Sequence, residues 1–553
     1  MRTDPQPARP AAPRRSRRLL FGCLAASLAL PLLLVIELLA RLLLPAPAGD
    51  PFLGMSGSAS IFSEVDVDGV RCYRITHPSA YAHNNTTFPV AKAPGVLRVF
   101  CLGGSASAGW PHPGDQTYPR YLQHALQQAF PERRVEVINA GAHAYASYRV
   151  RGIFEDVLRF APDLIVLYVG NNEFVERRTY LAGGWLGRAL RGLERWSRLA
   201  QWIGQAARSR NSGSQLSGAD RTDAAWHTWS HTEQVAAELR TDPAQFAEVL
   251  AHYEYTVEAM VAEAGARGVA LAVLTVPVNL RDWRPHVSAS GLAGRAAERF
   301  EAGLRAARRT LLQGDARAAA QAFEALLAEA PGHAAAWFHS ARALEALGRH
   351  GEAVAAYIRA KDEDRNPFRA LSLGNEAVRR IASRHPQVVL VEAERALLAA
   401  TAPRAPGFDL FLDYVHPTRA GNEAIARVVF EAVLARGVLP GTPATRAFQV
   451  DLANAYDETR DTGVQITLLS LFSIMHQYEA FLEKLDHVEL LLRGGAPLPD
   501  AAAQLLADCR AAFQAYLEEE RKEILGEPFA PDYRERHREF YRAFFGRIST
   551  LKH

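Results

Sequence analysis

The chain has 553 residues, 63 of them basic and 60 acidic, and its formal charge of +3 implies no polyanionic partner for the molecule as a whole. A hydrophobic content of 48% against 22% charged excludes wholesale disorder, and at about 100–200 residues per domain the length allows about two to four domains. Four cysteines make no disulfide framework, and the lack of CxxC, HExxH and GxxxxGK(S/T) leaves zinc-ribbon, zincin and P-loop chemistry without support, so neither metal nor cofactor is expected.

Residues 2–18 carry six arginines, at 2, 9, 14, 15, 17 and 18, against the single acid Asp4. Leu19 to Ile36 then runs without a charge, and apolar residues continue to Leu44 around Glu37 and Arg41. As a helix the uncharged run rises about 27 Å, close to the thickness of a bilayer's hydrocarbon core. The reading is a cytoplasmic basic tail (1–18) and a transmembrane anchor (19–44) in the cell (inner) membrane. Everything that follows is then extracytoplasmic, in the periplasm. Glu37 and Arg41, four apart, can pair on one helix face. A cleaved signal is the alternative, with Ser16-Arg17-Arg18 and the Ala46-Pro47-Ala48 triplet as its marks.

A lead-in segment (45–93), polar with short apolar pieces, precedes an alternating pattern. Val96–Leu102, Val135–Asn139, Leu164–Val169, Val269–Val276 and Val388–Val391 are short apolar runs, mostly β-branched, as buried parallel strands are. Helical stretches such as Tyr118–Ala129, Ser147–Phe160 and Phe246–Arg267 separate them. The fold class expected is α/β: a three-layer αβα domain around a parallel five-stranded, flavodoxin-like sheet. Its first part spans 94–299 with an insertion at 176–242, where Arg208–Arg221 reads as a loop, and its second part spans 367–438. Between them, at 300–366, Ala307, Gly314, Ala319, Phe323 and Leu326 recur 34 residues later as Ala341, Gly348, Ala353, Tyr357 and Ala360. Small residues where paired helices touch, aromatics between them and Pro331 at a helix end resemble the tetratricopeptide repeat, although an alanine-rich helical hairpin would share the composition. Two copies are few for a free solenoid, so they must lean on the α/β domain. A C-terminal all-helical region (439–553) carries no catalytic pattern and is crowded with Arg, Tyr and Phe near its end.

Four short segments carry chemistry. The first strand ends in Gly103-Gly104-Ser105-Ala106-Ser107, a serine opening a helix at the C-terminal edge of a parallel sheet. Such a turn also suits a phosphate, and Ser107 is a second hydroxyl. Asn139-Ala140-Gly141 follows the second strand and Gly170-Asn171-Asn172-Glu173 the third. Asp413-Tyr414-Val415-His416-Pro417 lies far along the chain, with an acid and an imidazole three apart that can face the same way. Singly, each has a plain structural reading as turn or core.

Together and in this order, the four blocks resemble the SGNH (GDSL-type) hydrolase superfamily over about 96–175, 245–290 and 370–435. The resemblance implies Ser105 as nucleophile, His416 as general base and Asp413 as its orienting partner. It further implies an oxyanion hole from the N–H groups of Ser105 and Gly141 and the amide of Asn172. Two positions depart from the family pattern: Gly104 stands where the family has Asp before the serine, and Glu173 where it has Asp after the asparagine. The function so implied is a serine-dependent ester hydrolase working through an acyl-serine intermediate on an acyl ester, with an envelope glycan or lipid as the candidate substrate. An O-acyltransferase or deacetylase of an envelope polysaccharide and an inactive repeat scaffold are the alternatives. A protein partner on the repeats fits their type, while nothing indicates nucleic acid. Pro277–Trp283, after the fourth strand, should line the same crevice, with Arg281 either a binder of acidic groups or half of a structural pair.

Overall fold

In the computed structural model, the residues described are 35–42, 61–75, 86–112, 114–175, 197–199, 232–450, 464, 468–469, 471–473, 475–493 and 500–548. Two units make up the chain, one from Met1–Ala59 with Gly183–Gln215 and one from the rest. In the first, residues 35–42 are helical and Arg41 Nε donates to Glu37 Oε1 at 2.8 Å, the pairing that their spacing predicts. Glu37 also accepts from Ser197 Oγ and the Arg198 N–H, each at 2.7 Å. Among the described residues no helix is long and apolar enough to cross a membrane. Apart from 35–42 the expected anchor lies outside the described residues, as does the Arg208–Arg221 loop.

The second unit opens with a small sheet that the polar reading of the lead-in did not anticipate. Strands β1 (Phe62–Val67), β2 (Val70–Ile75) and β3 (Thr87–Pro89) pair antiparallel in that order. Asp68 and Gly69, at φ +53° and +77°, form the two-residue turn between β1 and β2. Both central residues of such a turn need positive φ, and Asp-Gly supplies them at low cost. The sheet's inner aromatics, Phe62 and Phe88, pack edge-on against Phe100 and Phe160.

The main sheet has the order β5-β4-β6-β7-β8, all parallel, from β4 (Val96–Gly103), β5 (Arg134–Gly141), β6 (Leu164–Tyr168), β7 (Ala270–Leu274) and β8 (Val389–Val391). This is the expected α/β fold. Every residue of β4 is buried, because helices cover both faces. Arg98 is the one charge in that strand. Its guanidinium bonds Glu136 and the carbonyls of Phe160 and Pro89, so the buried cation is fully engaged.

A four-residue helix α1 (Ser105–Ala108) follows β4, and α2 (Tyr118–Ala129) returns over one face. Helices α3 (Ser147–Val157) and α4 (Pro243–Ala266) lie on the other. Four helices then follow β7: α5 (Gly294–Leu312), α6 (Ala316–Glu329), α7 (Ala334–Ala346) and α8 (His350–Asp362). Phe338, Ala341, Ala353 and Tyr357 share one apolar cluster with Leu97, Val99 and Val389, so the repeats do lean on the sheet domain. Helix α9 (Ser372–Arg384) joins the α3–α4 face, and α10 (Ala393–Ala400) and α11 (Arg419–Arg436) the α2 face. The C-terminal region is helical: α12 (Tyr478–Arg493), α13 (Asp500–Leu525) and α14 (Tyr533–Ile548). Its apolar cluster reaches back to Phe174, Trp283, Phe368 and Leu412.

Candidate active site

The strand order changes direction on either side of β4, and there the C-terminal strand ends open a crevice. Register places Gly103 of β4 beside Gly141 of β5 and Tyr168 of β6, so the three segments that follow these strands start side by side. Ser105 is the first residue of α1, and its N–H is one of the donors that a helix start leaves without an intrahelical acceptor. The residue is half-buried there.

His416 arrives from the other end of the domain. The loop carrying it is closed by the Leu412 N–H donating to the His416 carbonyl at 2.7 Å and by an antiparallel bridge between Phe411 and Pro417. His416 Nε2 lies 2.8 Å from Ser105 Oγ. On the other side of the ring, His416 Nδ1 lies 2.6 Å from Asp413 Oδ2. The remaining carboxylate oxygen of Asp413 accepts from the N–H groups of Val415 and His416, both at 2.8 Å. Asp413 is wholly buried, so these donors replace the water that its charge has lost. Trp110 lies against the imidazole with ring centroids 4.6 Å apart, and the Tyr414 ring is 5.9 Å away. Burial and, secondarily, the Asp413 charge push the Tyr414 phenol upward.

Asn172 reaches the same place from the third segment. Its Nδ2 donates to the Tyr145 carbonyl at 3.1 Å, leaving the second amide hydrogen for another acceptor. A Cβ on Gly104 would stand 2.4 Å from that Nδ2 and 3.2 Å from the Tyr145 oxygen. A side chain at position 104 would therefore have to displace the Asn172 amide from the place it takes in this chain. Glu173, the other departure, is buried and bonds Ser147 twice, at its N–H and its hydroxyl, each at 2.9 Å. The longer acid thus ties the end of β6 to the start of α3.

Gly141 is the last residue of β5. Its N–H donates to Asn139 Oδ1 at 3.1 Å, and its Cα faces the backbone of Ala108, where a Cβ would stand 2.4 Å from the Ala108 nitrogen. Its lack of a Cβ makes room for α1. Three residues on, Ala144 sits exposed at φ +56°, next to the Tyr145 carbonyl that holds Asn172. No residue-type signal marks an alanine for a left-handed turn, and the sequence reading missed it. Ser107, the second hydroxyl, is buried with its Oγ 3.2 Å from the Tyr118 hydroxyl, away from the imidazole. Arg281 pairs with Asp282 at 2.9 Å and with Asp409 at 3.3 Å, the structural alternative for this residue. Among the described residues no cluster of His, Cys, Asp or Glu is arranged to hold a metal ion.

Residues 101–311 match the GDSL-like Lipase/Acylhydrolase family, and residues 310–374 match the tetratricopeptide repeat. The first match includes Ser105, Gly141 and Asn172 and ends before Asp413 and His416. No curated protein matches the chain. Among solved structures, an acetylxylan esterase from Geobacillus stearothermophilus is 14% identical, with 61% of this chain and 94% of that one covered and a TM-score of 0.29. A GDSL-like lipase from Bacteroides thetaiotaomicron is 12% identical, with 61% and 88% covered and a TM-score of 0.25. The chain thus carries a GDSL-like acylhydrolase domain and a tetratricopeptide region, and it is an ester-bond hydrolase.

Proposed function

We propose that the protein cleaves a carboxylic ester through an acyl-serine intermediate, with Ser105 as nucleophile, His416 as general base and Asp413 as the group that orients it. The observation that carries this reading is the unbroken line from Asp413 Oδ2 through both ring nitrogens of His416 to Ser105 Oγ, at 2.6 and 2.8 Å. In the first step Ser105 Oγ attacks the ester carbonyl and its proton passes to His416 Nε2. Asp413 holds Nδ1–H and stabilises the imidazolium. Collapse of the tetrahedral intermediate breaks the bond to the alkoxy oxygen, which takes the proton from Nε2 and leaves as the alcohol. Water then attacks the acyl-serine with His416 again accepting the proton, and the acid and free serine result.

The charge on the carbonyl oxygen is met by the Ser105 N–H and the free hydrogen of the Asn172 amide. The resemblance gives the third place to the Gly141 N–H. Donors already oriented where charge develops need no rearrangement during reaction, and each contributes about 3 kcal/mol. A fluorophosphonate probe tests the assignment: label should map to Ser105 and disappear in Ser105→Ala. Labelling elsewhere, or undiminished ester hydrolysis by that variant, would sink it.

The same proposal places the catalytic domain outside the cytoplasm, held by an N-terminal helix in the inner membrane, where acyl esters of the envelope's glycans and lipids are within reach. Support comes from the six arginines ahead of the uncharged run Leu19–Ile36. Cysteines introduced beyond Leu44 should react with an impermeant reagent in intact spheroplasts, and protection of those sites would refute the topology. A protein partner is assigned to the repeats, in keeping with their type.

A further inference from the structure

The segment after β7 runs between the loop of the acid–base pair and the chain leaving the repeats. Asn279, fully buried, holds the loop by two bonds: its N–H donates to the Tyr414 carbonyl at 3.1 Å and its Nδ2 to the Asp413 carbonyl at 2.9 Å. Its Oδ1 accepts from the Asp282 N–H at 3.0 Å, which fixes the orientation of the amide. From the other side, Arg369 Nη1 donates to the carbonyls of Asn279 and Trp283, at 2.9 and 3.0 Å. Arg369 is buried and lies seven residues past the end of α8, on a turn that Asp364 pins by accepting from the N–H groups of His286 and Val287.

Asp413 and His416 sit on one tight loop, so the Asp413–Tyr414 peptide is the base on which both side chains are aimed. Among the described residues, Asn279 makes the polar contacts on the carbonyls of that peptide and of Tyr414 from outside the loop. We propose that Asn279, seated by Arg369, is a positioning residue for the reaction: it holds the Asp413–Tyr414 backbone and so sets the imidazole of His416 on Ser105. The inference rests on the acyl-serine reading and adds to it that the exit of the repeat region forms the seat of the catalytic acid.

The experiment compares the full-length wild type with Asn279→Ala and Arg369→Lys on a short p-nitrophenyl ester. Turnover, KM, pH profile and melting temperature are measured on the same preparations. Rates are referred to the folded fraction, titrated with the fluorophosphonate. Asn279→Ala should lower kcat by about 10–100-fold, the scale of a small misplacement of reacting groups, with KM changed less than about twofold. The pH profile of kcat/KM should change as well, a readout that a merely structural role would not move. Arg369→Lys can reach one carbonyl but not both in the same geometry, and should shift turnover and pH profile in the same direction by a smaller amount. A fall in melting temperature with normal turnover and an unmoved profile per folded molecule, in both variants, would overturn the inference while leaving Ser105 as the nucleophile. Failure of the wild type to label at Ser105 would remove both readings.

Discussion

His416 Nε2 stands 2.8 Å from Ser105 Oγ although 311 residues of chain separate them. Neither residue reaches this position by local structure. Ser105 is delivered by the end of β4, and His416 by a loop that closes on itself and is tied to the segment after β7. The hydroxyl gains an acceptor for its proton only because two distant parts of the chain end at the same edge of the sheet. Ser105→Ala should therefore abolish hydrolysis and probe labelling, and His416→Ala should come close to it. Asp413→Asn should cost about 10⁴-fold in turnover, as loss of the orienting carboxylate does in related constellations. Rates on a short p-nitrophenyl ester test all three.

Asn172→Ala should lower turnover by about 10²–10³-fold, or roughly 3–4 kcal/mol, with little effect on KM, because a neutral amide acts mainly on the charge of the transition state. Melting temperature and turnover measured on one preparation decide the point. A destabilised enzyme with normal turnover would take Asn172 out of the oxyanion hole.

Gly104→Ala places a methyl group 2.4 Å from Asn172 Nδ2, so the amide or the start of α1 must shift. Turnover should fall by about 10²-fold, the cost of misplacing a reacting group by about an ångström. Gly104→Asp, which restores the residue of the family pattern, should be no better. A fully active Gly104→Asp enzyme would show that the amide has another place to go.

The repeats rest on close helix contacts at Ala341 and Ala353, which are 0% and 2% exposed. Replacing either with leucine should cost about 1–3 kcal/mol of stability by overpacking. Chemical denaturation checks this, and unchanged stability in both variants would argue that the α7–α8 contact is slack.

Acid should weaken the fold through the C-terminal helices. His537 is buried with its Nδ1 2.9 Å from Nδ1 of His476, and burial lowers its pKa from 6.5 to about 4. Its native form is neutral, whereas an unfolded chain takes up the proton near pH 6.5. Stability from this group is complete above about pH 6.5. It is lost as pH falls towards 4, at up to about 1.4 kcal/mol per pH unit. The melting temperature should drop between pH 7 and pH 5, and less steeply in His537→Gln. Equal slopes in the two proteins would show that His537 is not a source of the loss.

Much of the fold was legible in the sequence because buried parallel strands are written as short β-branched runs, and all five runs became the strands of the main sheet. The period-34 spacing likewise announced paired helices, since small residues must recur where helices touch. The lead-in hairpin was missed, although Asp68-Gly69 marks its turn, because its polar outer face concealed the strands. Ser105, Asn172, Asp413 and His416 could be named because each follows an apolar run or sits in a compact motif. What the sequence could not decide was which donors and braces complete the site. The Gly141 N–H meets Asn139 Oδ1, a contact that residue type does not announce; Ala144 has no distinguishing type, yet takes the left-handed turn. Asn279 and Arg369 lie 90 residues apart and meet only through the folded chain. Residue type and period govern which segments form strands and helices, because those depend on near neighbours. The direction of a single N–H or amide depends on what packs against it from elsewhere, and only the tertiary structure decides that.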